Sequence, residues 1–204
     1  MGDKNSSWSE LISLAGQFFG YALVAVFGYA LVKFKKIVED RTKYPVRAIE
    51  VSHRIREVMT EVRACLDCDR VKIFQFKNGD YYMGGASEQK LVITHIVSRI
   101  GVGCTEGILR FQTVPVSLAG QWLKKAVDHD MEVTQVDHID EDSVMKGFFL
   151  MNGTSTVMTC KLMKNRQLIG VLVLTWMEPK TIKPKNDEVR ELHQFIAVIE
   201  KLLS

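Results

Sequence analysis

Cysteines, histidines and one glycine- and tyrosine-rich segment are the parts of this sequence whose residue types could do chemistry. Cys65-Leu66-Asp67-Cys68 has the spacing of a redox dithiol or of half a zinc site. Zinc needs two further ligands, and no second CxxC and no HxxxH is present. Cys65 also falls on an apolar helical seam, where a buried structural thiol is the simpler reading. Cys104 lies in a glycine-rich stretch and Cys160 on a strand-like run. The four cysteines form no disulfide framework, and free thiols suit a reducing compartment. Of the five histidines, His129 sits between two aspartates and His138 follows Asp137, the pattern of solvated acidic turns. His53 and His193 fall off the main helical seams, and His95 alternates along a strand so as to face a pocket. No Ser/His/Asp order, P-loop or dinucleotide fingerprint can be read, so catalysis, a metal and a cofactor are not expected.

Asn78-Gly79-Asp80-Tyr81-Tyr82-Met83-Gly84-Gly85 reads as a long hairpin loop within 77–90. Its glycines permit unusual backbone angles, and its aromatics offer a flat apolar surface with hydroxyl tips. Asn78, Tyr81, Tyr82, His95, Trp122 and Cys160 are therefore the candidate ligand-binding residues, Trp122 having a core reading as well.

These groups must be positioned by helices and strands, and the first helix has an unusual character. Leu11 to Val32 carries no charge. As a helix rising about 1.5 Å per residue it would span roughly 33 Å, the thickness of a hydrocarbon core. The run is too long for a signal peptide, and no small-x-small cleavage site follows it. Lys33, Lys35, Lys36, Arg41, Lys43 and Arg47 follow the segment, whereas only Lys4 precedes it. That asymmetry predicts a single-pass protein with residues 1–10 outside, 11–32 in the bilayer, 33–45 as a basic linker bending at Pro45, and 46–204 in the cytoplasm. Gly16 and Gly20 form a GxxxG pair suited to helix–helix association. The formal charge of +3 on 204 residues is small and sits mostly in that linker, so a nucleic-acid partner is not expected.

Beyond the linker, Val51, Ile55, Val58, Val62 and Cys65 recur at helical spacing, as do Val189, Leu192, Ile196, Ile199 and Leu203 near the end. Between them the period changes. Strands are predicted over 70–76, 91–100, 131–136, 154–163 and 167–177. Helices are predicted over 117–130 and from a cap at Asp140 to about Leu150, with Gly153 as the stop.

The order of these elements resembles the GAF domain, a relative of the PAS fold. The resemblance rests on Val114-Pro115-Val116, on the strand Met131 to Asp137, on Gly153-Thr154-Ser155-Thr156, on Leu168 to Leu174, and on Lys180-Thr181-Ile182-Lys183 before the last helix. It implies an α+β fold: a central antiparallel β-sheet flanked by helices, with a ligand pocket on one face and terminal helices that often dimerise. The cyclic-nucleotide motif of some members is absent, as is the Cys-His pair of bilin carriers, and an output domain after the last helix is not expected. The expected function is a membrane-anchored GAF-like sensory or small-ligand-binding module, non-catalytic and homodimeric. The alternatives are a membrane scaffold or accessory protein, even a virus-encoded one, recruiting a protein partner without a ligand, and a thiol-dependent reductase using Cys104 or Cys160.

Overall fold

The alternation from Arg70 to Phe76 sends successive side chains to opposite faces of a strand, and that strand lies in the middle of the sheet. The computed structural model describes the backbone of residues 4–81, 87–102, 113–141 and 143–203. Side-chain surroundings are described for 26–35, 45–77, 89–102, 113–141 and 143–203. In chain order the elements begin with helix α1 (Lys4–Cys65) and strands β1 (Arg70–Tyr81), β2 (Ser87–Ser98) and β3 (Thr113–Pro115). Helix α2 (Val116–Asp128), strand β4 (Met131–Gln135), a 3-10 turn (Val136–His138) and helix α3 (Val144–Met151) follow. Strands β5 (Thr156–Lys164) and β6 (Gln167–Trp176) and helix α4 (Asn186–Leu202) complete the order. The chain divides into two compact units, Met1–Glu50 and Val51–Ser204.

The first unit is helical, and its helix runs through Pro45, where the sequence suggests a bend. Residues 26–35 are all exposed; Val26, Phe27, Tyr29, Leu31, Val32 and Phe34 are each at least 65% accessible. Among the described residues no helix is long and apolar enough to cross a membrane. The side chains of residues 11–25, most of the uncharged run and including Gly16 and Gly20, lie outside the described residues.

In the second unit the strands form one six-stranded sheet in the order β3-β2-β1-β6-β5-β4, every neighbour antiparallel. On its outer face, Ile55, Val58, Met59 and Val62 of α1 and Leu192, Ile196 and Ile199 of α4 pack over Val71, Ile73, Leu172 and Leu174. Both helical seams seen in the sequence are thus covered by the chain's own sheet. On the inner face, α2 and α3 bring Trp122, Leu123, Met145, Phe148 and Phe149 against Phe74, Val157, Val171 and Val173.

Several local differences from the sequence reading have physical causes. β3 adds a sixth strand by pairing with β2 from Lys90↔Pro115 to Val92↔Thr113. Segment 77–90 is mostly strand, because β1 and β2 continue their pairing to Tyr81↔Ser87 across a bulge. Ser143, not Asp140, caps α3: its Oγ accepts from Met145 N at 3.3 Å and donates to Ala119 O at 3.2 Å. That second bond meets α2 where Gly120 breaks the helix at φ 60°, an angle glycine adopts without strain.

The β5–β6 hairpin closes through Asn165 and Arg166, both at positive φ (49° and 64°) between the pair Lys164↔Gln167. Such two-residue turns favour Asn-Gly. Arg166→Gly removes the side-chain strain at φ 64° at some cost in unfolded-chain entropy. We expect a net gain of about 0.5 kcal/mol, seen as a rise of 1–2 °C in Tm by calorimetry.

Candidate functional site on the inner sheet face

Arg70, Lys72 and Phe74 of β1 share the inner face, with Phe76 packed beyond them. Their β6 partners are Thr175, Val173 and Val171. Arg70 is 2% exposed and Lys72 is 0% exposed, in a region walled by aromatic rings. Two cations buried side by side on a central strand are unusual, because removing charge from water is costly unless nearby groups compensate.

Part of that compensation is visible. Arg70 Nη1 donates to Asn152 O at 2.7 Å, and Asn152 Nδ2 donates to Phe148 O at 2.7 Å. The guanidinium therefore holds the C-terminal end of α3, whose carbonyls carry the negative end of the helix dipole. Lys72 Nζ lies 4.8 Å from the centroid of the Phe148 ring and 6.0 Å from that of Phe149. The ring faces attract the ammonium through their quadrupoles.

The rings form a closed edge-to-face circuit. Phe74 meets Trp122 at 6.4 Å and Phe148 at 6.0 Å; Trp122 meets Phe149 at 5.5 Å; Phe148 meets Phe149 at 5.4 Å. Close by in the sheet and its lead-in, the buried hydroxyls of Thr154 and Thr175 have no hydrogen-bond partner among the described residues. The groups gathered here are positive charge, hydroxyls and aromatic faces, and Arg70 and Lys72 each make further interactions within the protein. Among the described residues no group of His, Cys, Asp or Glu is arranged to hold a metal ion.

The structure separates the residues that the sequence groups together. Trp122 lies on the inner face. His95 and Cys160 lie on the other one. Leu91 and Ile93 of β2 point inward, and simple alternation would carry His95 with them. A bulge intervenes: Ile73 pairs with His95 but Phe74 pairs with Ile93, so Thr94 is the extra residue and His95 turns outward. There, burial lowers the His95 pKa below its usual value, and Arg56 of α1 lowers it further. Cys160 pairs with Met131 and Leu172 in the outer core. Asn78 and Tyr81 belong to β1, pairing with Gln89 and Ser87, but their side chains lie outside the described residues, as does Tyr82 altogether.

Arg70, Lys72, Phe148 and Phe149 were not legible as a site, although one signal was available. The stretch Arg70-Val71-Lys72-Ile73-Phe74 segregates two cations and an aromatic from two β-branched residues, which reads as a solvated face until α3 covers it.

The described thiols, Cys65, Cys68 and Cys160, are free. Burial raises the Cys68 and Cys160 thiols to about 12. Cys65 is raised to about 11 by burial and by its hydrogen bond to Glu191, 3.2 Å away. At pH 8 a thiol of pKa about 12 is ionised in about one molecule in ten thousand, and the thiolate is the nucleophile. We expect iodoacetamide to label Cys68 and Cys160 at least ~100-fold more slowly in the native chain than in denaturant, with Cys65 intermediate. Peptide mass spectrometry over a time course reads this directly.

No protein-family model matches the sequence, and no curated protein matches it. Solved structures do, and they define the fold as that of GAF domains. The chromophore-binding domain of an unusual bacteriophytochrome from R. palustris superposes with a TM-score of 0.53 at 12% identity, over 80% of this chain. This chain spans only 60% of that protein's length. The blue-light absorbing form of the PixJ GAF domain from Thermosynechococcus elongatus gives 0.56 at 14% identity, covering 76% of this chain and 88% of that one. The GAF domain/HD domain protein from Geobacter sulfurreducens gives 0.55 at 8% identity, covering 74% and 91%. At such identities the likeness is one of fold.

Proposed function

We propose that this chain is a GAF-fold sensory module, non-catalytic, whose inner sheet face receives an anionic small molecule and whose N-terminal helix holds it at a membrane. The observation that carries the ligand reading is the buried pair Arg70 and Lys72, set beneath Phe74, Trp122, Phe148 and Phe149. The likeness in fold to a chromophore-binding domain and to GAF domains supports a ligand-binding reading in general. A carboxylate or phosphate would accept from the two cations and from the hydroxyls of Thr154 and Thr175.

The membrane reading is supported by the helix around residues 26–34. Its large apolar side chains are exposed at positions 26, 27, 29, 31, 32 and 34, which covers every side of a helix. Such a surface suits lipid, and in this proposal the basic residues that follow favour a cytoplasmic side for the sheet-bearing unit. Because the seams of α1 and α4 are spent on the sheet, self-association in this proposal falls to Gly16 and Gly20.

A second reading, a membrane scaffold without ligand, is favoured by one observation. Phe148, Phe149 and Trp122 fill the inner face and touch one another and Phe74. Native mass spectrometry of the full chain in lipid nanodiscs separates the two. The ligand reading expects an anionic bound mass, or saturable uptake from a panel of carboxylate and phosphate metabolites, reduced at least tenfold by Lys72→Met. The scaffold reading expects neither. Arg70→Met is the structural control: it removes the bond that ties β1 to the end of α3 and should cost about 1–3 kcal/mol in urea unfolding under either reading.

A further inference from the structure

The two edges of the sheet are protected very differently. β3, at one edge, is three residues long and ends in Pro115, a short strand blunted by a residue that cannot donate. β4, at the other edge, is Met131-Glu132-Val133-Thr134-Gln135, with no proline and no lysine.

Which backbone groups of β4 face outward follows from the ladder at its two ends. Val136 N donates to Ser155 O at 2.9 Å, and Lys161 N donates to Asp130 O at 3.3 Å. Both bonds fit the register of Glu132↔Thr159 and Thr134↔Val157, so the even-numbered residues spend their N–H and C=O on β5. Met131, Val133 and Gln135 therefore point theirs away from the sheet. All five residues of β4 are half-buried, so this row lies in a recess.

That recess is a groove of about 380 Å³ with 132–135 as its floor. Lys125 and His138 stand on one wall, and residues 180–182 form the other. The charges within it are Lys125 and Lys180 against Glu132, Lys180 also reaching Asp67 at 3.5 Å.

We propose that the β4 edge is a strand-addition site for an extended acidic segment of a partner protein. The segment adds a seventh antiparallel or parallel strand, its backbone satisfying Met131, Val133 and Gln135, and its carboxylates meeting Lys125 and Lys180. This surface is separate from the inner face, so it holds whether or not a ligand binds there.

The test uses the full chain in nanodiscs and two fluorescein-labelled probes, Glu-Val-Thr-Val-Thr-Glu and the same peptide with lysine for glutamate. Fluorescence polarisation should give saturable binding of the acidic probe and at least tenfold weaker binding of the basic one. Lys125→Glu should weaken the acidic probe several-fold, and Val133→Pro should abolish it, since that N–H serves no bond to β5. Amide hydrogen exchange gives a readout that does not depend on any variant folding. The acidic probe should slow exchange at Met131, Val133 and Gln135 and leave Glu132 and Thr134 unchanged. Equal binding of both probes, no saturation, or unaltered exchange at the three outward amides overturns the proposal. A concentration-dependent dimer that Val133→Pro dissolves also overturns it, in favour of a second copy as the occupant.

Discussion

Gly170→Ala should be the most damaging alanine substitution among the described glycines, costing about 3 kcal/mol or more. A Cβ at Gly170 would stand 2.2 Å from Phe74 O and 3.1 Å from Gln75 Cα, both backbone atoms of the neighbouring central strand. Neither can move without disturbing β1, which is paired on both sides. The tightness has a local origin. Leu162 pairs with Gly170 and Met163 with Leu168, so β6 bulges at Ile169 and is pushed toward β1 at the point where their ladder ends, Gln75↔Gly170. Domains of this size are stable by only about 5–15 kcal/mol, so the loss is a large share of the total. Urea unfolding followed by circular dichroism should show the midpoint falling by about 1.5 M or more, taking a slope near 2 kcal/mol/M. A midpoint within ~0.3 M of wild type would mean that the strands separate there at little cost.

Phe148→Ala should cost about 3–5 kcal/mol, the range for emptying a buried aromatic site. Phe148 is fully buried and takes part in two edges of the four-ring circuit, with Phe74 at 6.0 Å and Phe149 at 5.4 Å. Its loss also takes the nearest aromatic face from Lys72. That second effect can be isolated by a double-mutant cycle with Lys72→Met. A cation–π contact out of water is worth about 2 kcal/mol, so the two substitutions together should cost about 1–2 kcal/mol less than the sum of each alone. Strict additivity would place the ammonium's stabilisation elsewhere. Phe148→Leu keeps most of the volume and should lose the coupling while costing less in stability.

Inner-face chemistry and the β4 edge make different demands on the same sheet. The first depends on α3 being docked, because Asn152 and Phe148 hold Arg70 and Lys72. The second depends on the strand order, which among the described residues leaves β4 without a neighbour on one side, and on Lys125 and Lys180 beside it. A variant that loosens α3 should therefore weaken the proposed ligand uptake more than it changes the protection of the outward amides of β4.

Much of this architecture is written locally. The seams Ile55, Val58, Val62 and Leu192, Ile196, Ile199 repeat at helical spacing, and they are the residues that cover the outer face. Gly170 is readable as a place of close backbone approach, because only a residue without a side chain tolerates one. The order of elements, together with short motifs around them, carried the likeness to GAF domains.

The identity of the two faces is not written locally. Alternation along a strand divides residues into two sets without saying which set meets which helix, and one bulged residue exchanges the sets beyond it. Thr94 does this in β2 and moves His95 to the outer face, away from Trp122. The burial of Arg70 and Lys72 is equally a long-range fact, since the groups that surround them come from Phe148, Phe149 and Asn152, more than seventy positions along the chain. Periodicity is a property of neighbours in sequence, whereas burial belongs to whatever the rest of the chain brings to the other side.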